Sequence, residues 1–193
     1  MKLTREPAQS NILRSIAEAF ERSAKPFSVE NHRLADLSGI EAVDNPVPRY
    51  ALAENVWIDF EANKGVSVSI SPGEGAQGVR LRVNDLNQSR WFSFSYELDH
   101  EVVRSARYLG LLIRAGSSGI AAFRPCIRYS FDGSFQDRFA PQMLVFQGGV
   151  DEQLCVIKPD HLLLERATRA EVLFFFEGKK FDVTLLGIEN LLI

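Results

Sequence analysis

Cysteine and histidine are scarce in this chain. Its two cysteines, Cys126 and Cys155, allow at most one disulfide and exclude a disulfide framework. The expected state is a reduced cytoplasmic protein with two buried thiols. The three histidines, His32, His100 and His161, stand far apart. They lack paired metal-ligand spacing and the His-x-His of a metal-binding cupin, so no metal centre is expected. Long apolar runs are also missing. The longest, Val172 to Phe176, has the length of one buried strand, so no membrane span is expected, and Met1 to Ser10 has no apolar core of a secretory signal. No G-x-S-x-G or P-loop occurs. Gly73, Gly75 and Gly78 match G-x-G-x-x-G spacing, but they follow Pro72 and lead into a strand where a dinucleotide site needs a helix. No cofactor is expected.

Lysine is the scarce cation. Sixteen of the 22 basic residues are Arg and six are Lys, and positions 80 to 138 hold nine Arg, no Lys and six acids. The whole chain carries 25 acids and a net charge of −3, which argues against nucleic acid as a partner unless the cations cluster. Arginine's planar fork pairs with carboxylate or phosphate and stacks on rings, so this local excess fits a surface for anionic or polyhydroxylated ligands. It equally fits exposed strands whose Arg stems cover apolar area and pair with cross-strand acids.

What is abundant is two-residue alternation. Val79, Leu81 and Val83 alternate with Arg80 and Arg82; Phe92, Phe94, Tyr96 and Leu98 alternate with Trp91, Ser93, Ser95 and Glu97. Val56, Ile58 and Phe60, then Val66, Val68 and Ile70, repeat the pattern. Further strands are expected over Tyr108 to Arg114, Ile127 to Phe131, Met143 to Phe146, Leu154 to Ile157, Val172 to Phe176 and Phe181 to Leu186. Asp132-Gly133 signals a hairpin turn. The Leu162 to Leu164 run reads as either a helical turn or a loop. Ile12, Leu13, Ile16, Ala17 and Phe20 fall at helical spacing after Ser10, a candidate N-cap, and before Pro26. Residues 27 to 48 show no sustained period and end in Asn45-Pro46-Val47-Pro48.

At 193 residues, with 46% hydrophobic and 24% charged residues, one globular core suffices. The expectation is an all-β protein, an antiparallel jelly-roll β-sandwich with an N-terminal α-helix: residues 1–48 a helical extension and linker, residues 49–193 the sandwich. The helix either packs on the sandwich or docks another protein.

The strand order, the Asp132-Gly133 turn, the Arg128-Tyr129-Ser130-Phe131-Asp132-Gly133-Ser134-Phe135 unit and the final Phe181 to Leu186 strand resemble the galactose-binding-like jelly rolls. That group contains discoidin-type domains and many carbohydrate-binding modules. The resemblance covers roughly residues 50 to 193. It implies glycan recognition by aromatic platforms and leaves room for a structural calcium ion on a loop, though no dense acidic loop requires one.

Candidate chemistry follows from parity. Trp57 and Trp91 both fall on polar strand faces, where an indole can stack on the apolar face of a sugar while Arg, Asn and Asp contact its hydroxyls. The candidate ligand-binding residues are therefore Trp57, Arg80, Arg82, Trp91, Arg124 and Arg128, and no catalytic residue is assigned. An arginine beside Trp91 would favour an acidic or phosphorylated glycan. The competing expectation is that the N-terminal segment or a second subunit covers the tryptophans. The function expected is non-catalytic binding of a glycan or glycoconjugate. The alternative is a protein-interaction or homo-oligomeric assembly domain using the helix and the sheet face. A carbohydrate-active hydrolase drawing on Asp59, Glu61, Asp85, Glu97 or Asp99 stands behind both.

Overall fold

In a computed structural model, residues 8–73, 75 and 77–193 are described. Two antiparallel sheets face each other. The six-stranded sheet runs β1 (Val43–Asp44), β4 (Ser67–Pro72), β5 (Val79–Asp85), β13 (Phe181–Leu192), β7 (Leu109–Ser117), β11 (Val150–Ile157). The seven-stranded sheet runs β2 (Tyr50–Ala53), β3 (Val56–Phe60), β6 (Phe92–Leu98), β12 (Arg169–Phe176), β8 (Ile120–Phe131), β10 (Leu144–Gln147). Its last strand, β9 (Ser134–Phe139), pairs with the C-terminal half of β8 through the Asp132-Gly133 turn, with Gly133 at φ +74°. The expected antiparallel sandwich is present. Apart from the consecutive pairs β2–β3, β4–β5 and β8–β9, neighbours in each sheet come from separate parts of the sequence, as in a jelly roll.

The core is aromatic. Phe123 from β8 stacks on Phe174 of β12, with ring centroids 4.9 Å apart, and on Phe146 of β10 at 5.7 Å; Phe176 stacks on Phe181 of the opposite sheet at 4.5 Å. All are inward positions of alternating strands, so the two-residue period that makes the strands also fills the space between the sheets.

Helix α1 (Ala8–Ala24) is already running at Ala8, which places Ser10 inside the helix rather than at its cap. A second helix, α2 (Ser28–Ala35), and flanking 3-10 turns occupy the stretch without a visible period. Phe27, Leu34 and Leu37 from this region are buried in the core. Glu30 and Asn31 interrupt that stripe with polar side chains, and both are used: Glu30 Oε1 accepts from the Asp99 amide at 2.7 Å, and Asn31 meets Asn190. Both helices contact β13, so they lie against the six-stranded sheet and leave the outer face of the other sheet uncovered by them. Short helices α3 (His100–Ser105) and α4 (His161–Leu164) are capped by Asp99 and Asp160. No helix among the described residues is long and apolar enough to cross a membrane.

Of the three glycines spaced like a dinucleotide fingerprint, Gly73 and Gly78 serve close packing, while Gly75 stands in open space at φ +66°. Gly73 N donates to Gly78 O across the β4–β5 loop, and a Cβ on Gly78 would stand 1.9 Å from Leu185 O. A register shift between Leu185 and Gly187 then bulges β13 and reverses its inward parity. That reversal puts the polar Asn190 into the core.

Candidate functional site

The outer face of the seven-stranded sheet is ordered in rows by strand register. Trp57, Ser95, Leu173, Cys126 and Phe139 lie side by side across β3, β6, β12, β8 and β9. Asp59, Ser93, Phe175 and Arg124 form the row on one side of it, and Glu97, Glu171, Arg128 and Asp137 the row on the other. Ser93 and Ser95 are 0% and 1% exposed although they point outward. Small residues on the central strand between bulky ones on its neighbours make a floor with raised sides. Trp57 and Phe175 are two strand spacings apart, about 10 Å.

The Trp57 side is built by a strained backbone. Arg49 sits at φ +58°, a left-handed conformation unfavourable for a side-chain-bearing residue, and its amide is held by Asp59 Oδ1 at 2.9 Å. This places the Arg49 guanidinium 5.0 Å from the Trp57 ring centroid, with Arg169 at 5.9 Å. Burial raises the Asp59 carboxyl above the usual range, against the lowering by the amides of Phe60 and Arg49. Glu171 is likewise raised by burial, with Arg169 opposing; Arg169 Nη2 lies 2.7 Å from its Oε1.

The other side is an aromatic cluster. Trp91 meets Phe175 edge-on at 6.4 Å, and Phe139 tilts against Phe175 at 5.6 Å. Arg128 lies 4.0 Å from the Phe135 centroid while its Nε and Nη2 each donate to Asp137 at 2.8 Å, a bidentate pair that fixes the guanidinium. Arg124, beside Phe175 in register, has its Nε buried without a hydrogen-bond partner. Around the floor, Arg49, Arg124, Arg128 and Arg169 stand against Asp59, Glu97, Asp137 and Glu171, so the face is close to charge-balanced.

Of the six residues expected to bind ligand, Trp57, Trp91, Arg124 and Arg128 share this face. Arg80 and Arg82 do not: they lie on the outer face of the six-stranded sheet, both bonded to Asp182. Alternation fixes a residue's face within one sheet but says nothing about which sheet its strand joins. The helical segment covers neither tryptophan, since it packs on the opposite sheet. Among the carboxylates considered for hydrolysis, Glu61 binds Arg90, Asp85 accepts the Asn87 amide and Asp99 caps α3. Asp59 and Glu97 stay on the face but in rows that are not adjacent. Burial pushes the Cys126 thiol above its ordinary range and that of Cys155 up to about 11. The two remain unpaired on different sheets. Phe135, Phe139, Phe175, Arg49 and Arg169 were not anticipated. Phe175 was concealed in the Val172 to Phe176 apolar run, whereas the parity of Phe135 and Phe139 follows from the hairpin once Arg128 is known to face outward.

No protein-family model matches the chain, and comparison with curated sequences finds no match. Its fold is that of jelly-roll carbohydrate-binding modules. The C-terminal family 22 module of Clostridium thermocellum Xyn10B superposes with a TM-score of 0.50 at 10% identity, over 72% of this chain and 86% of that one. A family 11 module from Clostridium thermocellum, in complex with a β-1,3-1,4-mixed-linked tetrasaccharide, gives 0.49 at 13% identity over 80% and 96%. The xylan-binding module CBM15 gives 0.49 at 12% identity over 80% and 97%. At 10% identity the likeness to the family 22 module shows the fold alone.

Proposed function

We propose that this chain is a non-catalytic carbohydrate-binding module whose ligand lies across the outer face of the seven-stranded sheet. One observation carries the reading: Trp57 and the Trp91–Phe175–Phe139 cluster flank a floor of buried serines. Aromatic rings offer flat apolar surface to sugar rings, and the bracketing Arg, Asp and Glu side chains offer directional hydrogen bonds to hydroxyls. The near balance of charge favours a neutral chain on this face. The two unpaired thiols suit a reducing, cytoplasmic setting.

Titration with neutral β-linked gluco- and xylo-oligosaccharides tests the reading. Trp57→Ala is expected to weaken binding roughly 30-fold, the loss of one anchor of about 2 kcal/mol. Circular dichroism should be unchanged, because Trp57 points away from the core. Wild-type affinity in Trp57→Ala would remove this face from consideration.

A second reading, self-association, is favoured by α1. Ile12, Leu13 and Ile16 are 61%, 68% and 60% exposed, an apolar stripe that no other described residue covers. Ile16→Glu is expected to abolish a dimer seen by sedimentation equilibrium. Monomeric wild-type protein at about 100 μM would exclude this reading, since an affinity weaker than that corresponds to under about 6 kcal/mol.

A further inference from the structure

We infer that the neutral chain taken by the aromatic face carries a uronic acid branch, whose carboxylate is bound by Arg124. The inference rests on the glycan-binding reading and adds the chemical class of the ligand. Its ground is how the four arginines of the face are engaged. Arg128 is fixed by both oxygens of Asp137, Arg169 pairs with Glu171, and Arg49 lies over the Trp57 ring. Among the described residues, Arg124 alone of the four has no ion pair, no side-chain hydrogen bond and no ring beneath its guanidinium.

Of its nitrogens only Nε is buried, so the two terminal nitrogens reach solvent while the root of the fork is held inside. The guanidinium stays charged at any pH the protein meets, and its surroundings offer it no acceptor. Phe175 of β12 stands beside it in register, and Ala122, two residues along β8 on the same face, pairs with Val145 of β10. Exposed Val145 and Met143 continue this apolar margin to the sheet edge. Glu177, two residues beyond Phe175 with its amide bonded to Ala122 O, makes no ion pair with Arg124. The apolar margin that makes an unpaired charge costly also strengthens a bond formed to it.

Position and charge then select the ligand group. The row Asp59, Ser93, Phe175, Arg124 puts Arg124 one strand spacing, about 4.8 Å, beyond Phe175 and away from the serine floor. A chain lying on the floor stacks against Phe175 and stops short of Arg124. A single sugar attached to that chain passes over the ring and brings its substituent to the guanidinium. One free guanidinium matches one monoanion, and a carboxylate pairs end-on with its two terminal nitrogens. A phosphate dianion calls for a second cation, and the neighbouring arginines are already engaged. A purely structural Arg124 would use its stem to cover apolar area and would discriminate between no ligands.

The test is titration of the full chain with a xylo-oligosaccharide bearing one glucuronic acid branch, with the methyl ester of that compound, and with the unbranched oligosaccharide. Wild type is expected to bind the free acid about tenfold more tightly than the other two, as for a charge-assisted hydrogen bond, and to lose that preference as salt is raised. Arg124→Gln should bring the three affinities together, whereas Trp57→Ala should weaken all three and keep the preference. The acid–ester comparison is made in wild type and so holds even if Arg124→Gln fails to fold. Equal wild-type affinities for acid and ester, or a preference that survives Arg124→Gln, overturns the inference and leaves the aromatic face a site for neutral glycan. Equal weakening of all three ligands by Arg124→Gln also overturns it, since Arg124 then only supports the face. Binding of none of the three removes the aromatic-face reading and this inference with it.

Discussion

Phe174→Ala is expected to destabilise the domain by about 3–5 kcal/mol, the range for emptying a fully buried aromatic position. Phe174 is inaccessible to solvent and meets Phe123 at 4.9 Å, Phe94 at 5.7 Å and Tyr96 at 6.2 Å. These partners come from β8 and β6, the strands on either side of β12, so the ring fastens three adjacent strands from within. The consequence reaches the candidate site because the same strands carry Ser93, Phe175 and Arg124 on the opposite face. Urea denaturation should show a large fall in midpoint with little change in slope, and affinity for oligosaccharide should fall only where the unfolded fraction becomes appreciable. A loss under about 1 kcal/mol would mean that the neighbouring rings close the cavity, a degree of collapse rarely available in a core packed at crystal density.

Phe174 and Phe175 mark what sequence alone can and cannot say. Alternation located β3, β5, β6 and β8 and put Trp57 and Trp91 on an outward face, because a half-buried strand imposes a period of two on its own residues. In Val172 to Phe176 both faces are apolar, so the period vanishes. Phe174, a core ring, and Phe175, a ring of the candidate site, look alike. Arg80 and Arg82 illustrate a different limit. Their outward orientation was legible, but β5 belongs to the sheet opposite Trp57, and sheet membership arises from long-range pairing with β13 that leaves no local signature. The left-handed Arg49 is hidden for the same reason: its conformation is held by Asp59, a residue on the neighbouring strand. The carbohydrate-module fold was readable; the division of the candidate residues between two faces required the topology.

The bulge in β13 and the unrecognised helix α2 meet at one residue, and Asn190→Ala is expected to cost roughly 3 kcal/mol there, from buried groups left without partners plus a small cavity. Asn190 is wholly buried; its Oδ1 accepts from Tyr96 Oη at 2.8 Å and its Nδ2 donates to Asn31 Oδ1 at 2.9 Å. The Asn31 side chain also accepts from the Asn190 amide at 2.8 Å and donates to its carbonyl at 3.1 Å. A strand of strict alternation would turn this side chain outward; the Leu185/Gly187 register shift turns it in, where α2 and β6 supply the hydrogen bonds that make its burial tolerable. Tyr96→Phe alone should cost less, since it deprives only Asn190 Oδ1 of its donor while the Nδ2 and main-chain bonds of Asn190 to Asn31 stay in place. In the Tyr96→Phe/Asn190→Ala double variant the loss should fall short of the sum, because neither partner is then left to be buried unpaired. Coupling of about 1 kcal/mol in such a cycle would identify the Tyr96–Asn190 hydrogen bond as a link between β6 and β13, hence between the two sheets. Strict additivity would leave the joining of the two sheets at this point to apolar packing alone.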